Sequence, residues 1–336
     1  MVGKIGLYFS NTMETESGFY DAYDFHPCYE INNVSKTLRR TSSPICTLLY
    51  VFLGFLSIIT VCGNLLVIIS IVYFKQLHTP TNALILSLAV ADLLVGALVF
   101  PLTMVFSISS CMYQENLLCK VRSSFDITLS TCSILNLCCI SVDRYYAVCQ
   151  PLAYRTKISS HVIVVMILVS WGVPAVVAIS LVGFNRAECG QNCFFTVVLG
   201  KILIVLITFY LPLLVMICIY LKIFIVAQRQ AYSIHSLKNP GGSVSKMEKK
   251  ATKTLAIVLG VFLLCWLPSF LCTTILTFSN AAQPGPLVEI LNWLALSNST
   301  FNPFIYALFY SWFRSAFRMI ISGKIILGDF TNIKLF

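Results

Sequence analysis

Residues Leu291 to Phe313 read LNWLALSNSTFNPFIYALFYSWF. The run begins as an apolar helix and then breaks the rules of a membrane span three times. Asn298 and Ser299 lie mid-run, Asn302 is followed by Pro303, and Tyr306 comes after. A proline removes a backbone hydrogen bond and kinks a helix. Polar side chains at membrane depth are costly and face other helices or a water-filled cavity. Such a span needs a bundle around it.

The rest of the chain supplies one. Of 336 residues, 58% are hydrophobic and 11% charged, against about 25% charged in an average soluble domain. Apolar runs of about 20 residues are span candidates, and seven occur: roughly 46–73, 82–106, 117–148, 160–183, 196–226, 252–278 and 287–309. Short connections join them, so the expected fold is an all-α membrane protein, a seven-transmembrane helix bundle. Residues 1–45 form the N-tail, 46–310 the bundle and 311–336 the inner tail. Ser311 to Ile321 alternates apolar and basic residues at helical spacing, which predicts a short amphipathic eighth helix on the inner surface.

The net charge of +10 follows topology. With the N-tail outside, the outer segments hold eight basic and eight acidic residues, and the inner ones fifteen basic against Asp143, Glu248 and Asp329. That is the positive-inside asymmetry, not a nucleic-acid footprint. The N-terminus is therefore expected outside and the C-terminus inside. Lys246, Lys249, Lys250 and Lys253 follow a flexible Asn239-Pro240-Gly241-Gly242-Ser243 joint in a short inner loop, about 227–250. Asn33-Val34-Ser35 is a glycosylation sequon on the outer side. Most of the 14 cysteines fall in spans, where a thiol acts as a small apolar residue. Cys28, Cys119, Cys189 and Cys193 lie on the oxidising side, where disulfides persist. Their connectivity does not follow from spacing, and Cys111 is a possible competitor.

Three aspartates lie along spans two and three. Asp92 sits among leucines and needs partners. Asp126 and Asp143 are seventeen residues apart, about 25 Å along a helix, so they lie near opposite faces of the bilayer. A carboxylate such as Asp126 within a span has an ammonium ligand as its natural counter-ion. Arg122, one turn earlier, could neutralise it, but lies nearer the interface and is expected to snorkel outward.

The opening stretch fits, at every defined position, N-S-x-x-N-P-x-x-Y-x-x-x-Y-x-W-F, with Asn298, Ser299, Asn302, Pro303, Tyr306, Tyr310, Trp312 and Phe313. It resembles the seventh helix of trace amine-associated receptors, within the aminergic branch of rhodopsin-like G-protein-coupled receptors. The resemblance implies that Asp126, seven residues after Cys119, binds the amine. Around it would stand Thr208, Trp266, Ser269, Phe270, Asn292, Trp293 and Leu296. Of Ile204, Val205 and Thr208 on span five, only Thr208 offers a hydroxyl, which disfavours a catecholamine. The resemblance also implies disulfides Cys119–Cys193 and Cys28–Cys189, and a sodium ion held by Asp92, Ser133, Asn298 and Ser299. Asp143-Arg144-Tyr145 resembles the family's inner switch, with Arg144 pairing to Asp143 and Glu248. Tyr220, Asn302, Pro303 and Tyr306 belong to the same switch, and Ile134, Pro212 and Phe262 to the core trio that relays binding.

Glu289, Asn292 and Leu296 form an i, i+3, i+7 stripe on one face of span seven. If Leu296 faces Asp126, Glu289 faces the cavity nearer its mouth and is placed to take a second ammonium. The expectation is a receptor for a di- or polyamine such as cadaverine or spermine. Resemblance adds a stimulatory or olfactory G protein as partner, rising cyclic AMP, and the plasma membrane of olfactory cilia. A biogenic monoamine is the alternative ligand. A transporter or channel is the alternative class, but the chain lacks an internal repeat or ring of like charges. No enzyme is expected, because Asp92 and Asp126 form no nucleophile–base–orienter set. No cofactor is expected beyond the sodium. Residues 287–309 contain no lysine for a retinal Schiff base.

Overall fold

The computed structural model describes residues 29–32, 37–40, 44–105, 117–184, 200, 202–236, 242–279 and 285–323. Six helices are long and apolar enough to cross a membrane: Thr47–Tyr73, Pro80–Val105, Leu117–Cys149, Ser160–Ser180, Ile202–Val226 and Ile257–Leu276. They are spans one to six. The seventh crossing is two twelve-residue helices, Gly285–Leu296 and Asn298–Phe309, meeting at Ser297. Span three packs against spans two, four and five and forms the spine of the bundle. The core runs through Ile134, Phe209, Met216, Phe262, Trp266 and Tyr306. Exposed apolar residues such as Phe52, Phe55, Val165 and Leu214 cover the outer faces of the helices, as lipid requires.

At the break in span seven, Ser297 Oγ donates to Leu294 O at 2.6 Å, and a second gap follows at the proline. Pro303 has no N–H, so the carbonyl of Ser299, four residues earlier, loses its helical partner. Asn64 Nδ2 on span one donates to that carbonyl at 3.1 Å. Gly63, beside Asn64, lets the two helices approach, since a Cβ there would stand 2.9 Å from Pro303 Cγ. The hydroxyls of Thr60 and Thr300 close the same seam at 2.6 Å.

Prolines shape two further spans. One π-helical turn, Val95–Val99, precedes Pro101, and a second, Leu206–Tyr210, precedes Pro212. Such turns leave carbonyls without helical partners; Ser57 Oγ donates to Gly96 O at 2.7 Å. Span two begins cleanly. Thr79 Oγ1 accepts from Asn82 N, and Pro80 takes the first helical position, where its missing N–H costs nothing.

The structure corrects the sequence reading in several places. The all-α bundle stands, and outside it Tyr29–Asn32 pairs antiparallel with Thr37–Arg40 in the N-tail. The inner loop between spans five and six is shorter than 227–250. Helix Leu211–Ser236 runs on into it, and the next helix, Gly242–Ser279, starts within the expected joint. A short helix, Pro151–Lys157, fills the loop after span three. The amphipathic helix Ser311–Ile321 has the expected ends and buries Trp312, Phe313 and Ala316.

Candidate functional site

Asp126 lies two and a half turns into span three. Ser130 Oγ, one turn below, donates to its Oδ1 at 3.2 Å, and Asn292 Nδ2 on span seven donates to Oδ2 at 3.3 Å. Its side chain is 17% exposed. The structure thus joins Asp126 and Asn292 as the stripe on span seven requires. Ser130 was not anticipated, although its i, i+4 spacing from Asp126 was visible. Arg122 does not snorkel. It is 3% exposed, with Nη2 3.9 Å from Asp126 Oδ2, because its stem is packed inside the bundle instead of reaching the interface.

Aromatic residues of spans five and six pack on one another. Trp266 is buried, and its ring lies 5.9 Å from that of Phe270. Phe270 stacks on Phe209 at 3.8 Å between centroids. Thr208 Oγ1 donates to its own helix at Ile204 O. Ser269 is half-buried, and its carbonyl accepts from Thr273. Trp293 and Leu296 pack instead with Leu129, Leu53, Val95 and Phe100, toward spans one and two. Glu289 is 1% exposed and engaged in an interaction of its own.

Below Asp126, Asp92 is fully buried in a polar knot. Ser133 Oγ at 2.9 Å and Ser299 Oγ at 2.7 Å donate to its Oδ1, and Asn302 Nδ2 donates to Oδ2 at 2.6 Å. Asn298 Nδ2 is buried without a partner among the described residues. The knot brings three oxygens together, from Asp92, Ser133 and Ser299, which suits a hard cation. Asn298 makes no hydrogen bond to Asp92 among the described residues.

At the inner end, Arg144 closes on Asp143 through Nε and Nη2, both to Oδ2. Thr81 Oγ1 donates to the same oxygen at 3.0 Å, and Tyr154 OH donates to Oδ1 at 2.9 Å. Burial, before any other cause, pushes the Tyr154 phenol above its usual range and keeps it a donor. Tyr145 packs edge-on against Tyr146. Tyr220 and Tyr306 are buried in the shared core, and Pro303 rests on Gly63. Ile134, Pro212 and Phe262 are all buried between spans three, five and six. Cys119 is disulfide-bonded. Cys28, Cys189, Cys193 and Asn33 lie outside the described residues, as does the side chain of Glu248.

A half-buried carboxylate joins spans three and seven above a polar knot and an arginine clasp, in a bundle of seven membrane crossings. Residues 63–306 match the family model "7 transmembrane receptor (rhodopsin family)". The chain is 44% identical over 331 residues to trace amine-associated receptor 1 of Macaca mulatta, covering 92% of this chain and 98% of that one. The human receptor of that name is 43% identical, over 92% and 97%. Trace amine-associated receptor 4 of Mus musculus is 43% identical over 323 residues, 90% and 93%. The chain therefore belongs to the rhodopsin-family receptors and, within them, to the trace amine-associated receptors. It is a multi-pass membrane receptor and not an enzyme.

Proposed function

We propose that this receptor binds an extracellular amine at Asp126 and couples it to a stimulatory or olfactory G protein, raising cyclic AMP. The observation that carries the reading is the hold on Asp126. It sits on span three and receives long hydrogen bonds from Ser130 and Asn292, so an ammonium can compete for its oxygens. An ammonium–carboxylate pair in a desolvated cleft is a strong contact. Trp266 and Phe270 would form the aromatic side, with Thr208, Ser269, Trp293 and Leu296 as the remaining candidate contacts.

The N-tail is placed outside by the charge asymmetry, with Asn33 available for a glycan. Cys119–Cys193 and Cys28–Cys189 are the proposed bridges. Sodium at Asp92, Ser133 and Ser299, with Asn298 as a fourth candidate, would supply a fixed positive charge favouring the inactive arrangement. Activation would free Arg144 from Asp143 and Glu248 for the G protein, with Tyr145, Tyr220, Asn302, Pro303 and Tyr306 rearranging. The cell site is the plasma membrane, in olfactory cilia by resemblance.

A second reading extends the ligand to a di- or polyamine, its far ammonium at Glu289. Favouring it, Glu289 is buried one turn above Asn292 on the same helix. The experiment is a screen of mono-, di- and polyamines on cells reporting cyclic AMP, with Asp126→Ala and Asp126→Glu beside the natural receptor. A response lost in Asp126→Ala and reduced in Asp126→Glu supports the reading. Equal potency in Asp126→Ala and the natural receptor sinks it.

A further inference from the structure

The polar groups around Asp126 do not balance. Its two oxygens already accept, from Ser130 and Asn292. The donors beside it are idle. Arg122 is 3% exposed, and its Nε and Nη2 have no hydrogen-bond partner among the described residues. A buried donor without an acceptor is costly, and one left beside a binding carboxylate asks for an acceptor from outside the chain.

An internal counter-ion is the plainer account of Arg122, and the molecule contains the comparison that decides. Arg144 closes its Nε and Nη2 on one oxygen of Asp143. Arg122 stands 3.9 Å from Asp126, which is attraction without a hydrogen bond. The guanidinium faces its carboxylate and leaves its fork open.

We infer that the ligand carries, two or three carbons from its ammonium, an oxygen acceptor, best a carboxylate. The ammonium sits on Asp126 and the oxygen on the Arg122 fork. The short spacing follows from the gap between Nη2 and Oδ2. The sign follows from charge: Arg122 and Asp126 sum to zero, so a plain amine leaves a net positive charge in a buried site, whereas a zwitterion keeps it neutral. An ammonium is donor-only and gives the idle N–H groups nothing. Glu289, the other carboxylate nearby, already has an interaction of its own. The inference rests on Asp126 as the amine anchor and competes with the diamine version.

Propylamine, trimethylenediamine and β-alanine share a three-carbon chain and differ at the far end. Their stabilisation of the purified full-length receptor against heat reads binding without the G protein. β-Alanine should act at concentrations about tenfold lower than propylamine, or lower still. Arg122→Gln should erase that advantage and strengthen propylamine; Arg122→Lys, which keeps the charge but not the fork, should fall between. Asp126→Asn should silence all three ligands. The inference is overturned if β-alanine is no better than propylamine, or if its advantage survives Arg122→Gln. Should Asp126→Asn silence all three while the diamine binds best, only this inference falls. Should Asp126→Asn leave binding unchanged, the amine anchor falls with it.

Discussion

Asp92 and Asp126 are carboxylates on adjacent spans, and the bundle holds them in opposite ways. Asp92 is fully buried and takes three hydrogen bonds of 2.6, 2.7 and 2.9 Å from spans three and seven. Asp126 takes two of 3.2 and 3.3 Å, keeps some exposure, and faces an arginine that does not bond it. Short charge-assisted bonds fix a carboxylate in place; long ones leave it open to a better partner. Asp92 is a joint of the bundle, and Asp126 is the carboxylate at which we propose a ligand binds.

The comparison breaks if one substitution harms both properties alike. Asp126→Ala should remove the amine response, with potency falling about a hundredfold or more. Its thermal stability should fall less than that of Asp92→Ala, since two long bonds are lost and Arg122 loses a counter-charge that it does not hydrogen-bond. Dose–response curves and melting of the purified protein check the two halves separately.

Asp92→Ala should show the reverse. It leaves Ser133, Ser299 and Asn302 donating to nothing, at about 1–3 kcal/mol for each group left buried. Surface expression and melting temperature should fall well below those of Asp126→Ala. Sodium sensitivity of amine binding should vanish in whatever protein survives. A stable Asp92→Ala receptor with normal sodium dependence would remove the distinction between the two carboxylates.

Much of this arrangement was legible in the sequence. Apolar length gave the spans, and the alternation of Arg314 and Arg318 with Trp312, Phe313 and Phe317 gave the amphipathic helix its observed ends. Resemblance set Leu296 toward Asp126, and helical spacing put Asn292 on the same face of span seven, where it meets the carboxylate. The break at Ser297 was not legible, because Pro303 pointed to a kink further on, whereas the break is where Ser297 Oγ turns back to Leu294 O. Nor was the burial of Arg122. Snorkelling is a rule about a side chain alone, and packing by neighbouring helices overrode it. The N-tail strands escaped notice because TLRR and YEIN are too short for periodicity to speak.

The seam between spans one and seven sharpens the comparison, since it carries the same helix that serves both carboxylates. Gly63→Val places a Cβ 2.9 Å from Pro303 Cγ and 3.0 Å from its Cβ. Overpacking of this kind costs about 1–3 kcal/mol. The helices should part, and Asn302 should lose its hold on Asp92 before Asn292 loses Asp126. Lower melting with near-normal amine affinity is the expected result; an affinity loss as large as that of Asp126→Ala would show that the two regions are not separable.

The smallest effect tests how span seven tolerates its proline. Asn64 Nδ2 donates to Ser299 O at 3.1 Å and to Thr60 O at 2.9 Å. The Thr60 carbonyl lies in an intact helix and has its own backbone donor, so it can lose Asn64 cheaply. The Ser299 carbonyl has no such reserve, because Pro303 supplies no N–H. Asn64→Ala should therefore destabilise the receptor by about 1–2 kcal/mol, nearly all of it at Ser299. Pro303→Ala restores an N–H four residues after Ser299 and gives that carbonyl a helical partner. In the Pro303→Ala background, Asn64→Ala should cost less, and a double-mutant cycle on melting of the purified receptor should return a coupling of about 1 kcal/mol. Equal cost in both backgrounds would mean that Asn64 acts through Thr60 or through packing, and that the proline break in span seven is not what it repairs.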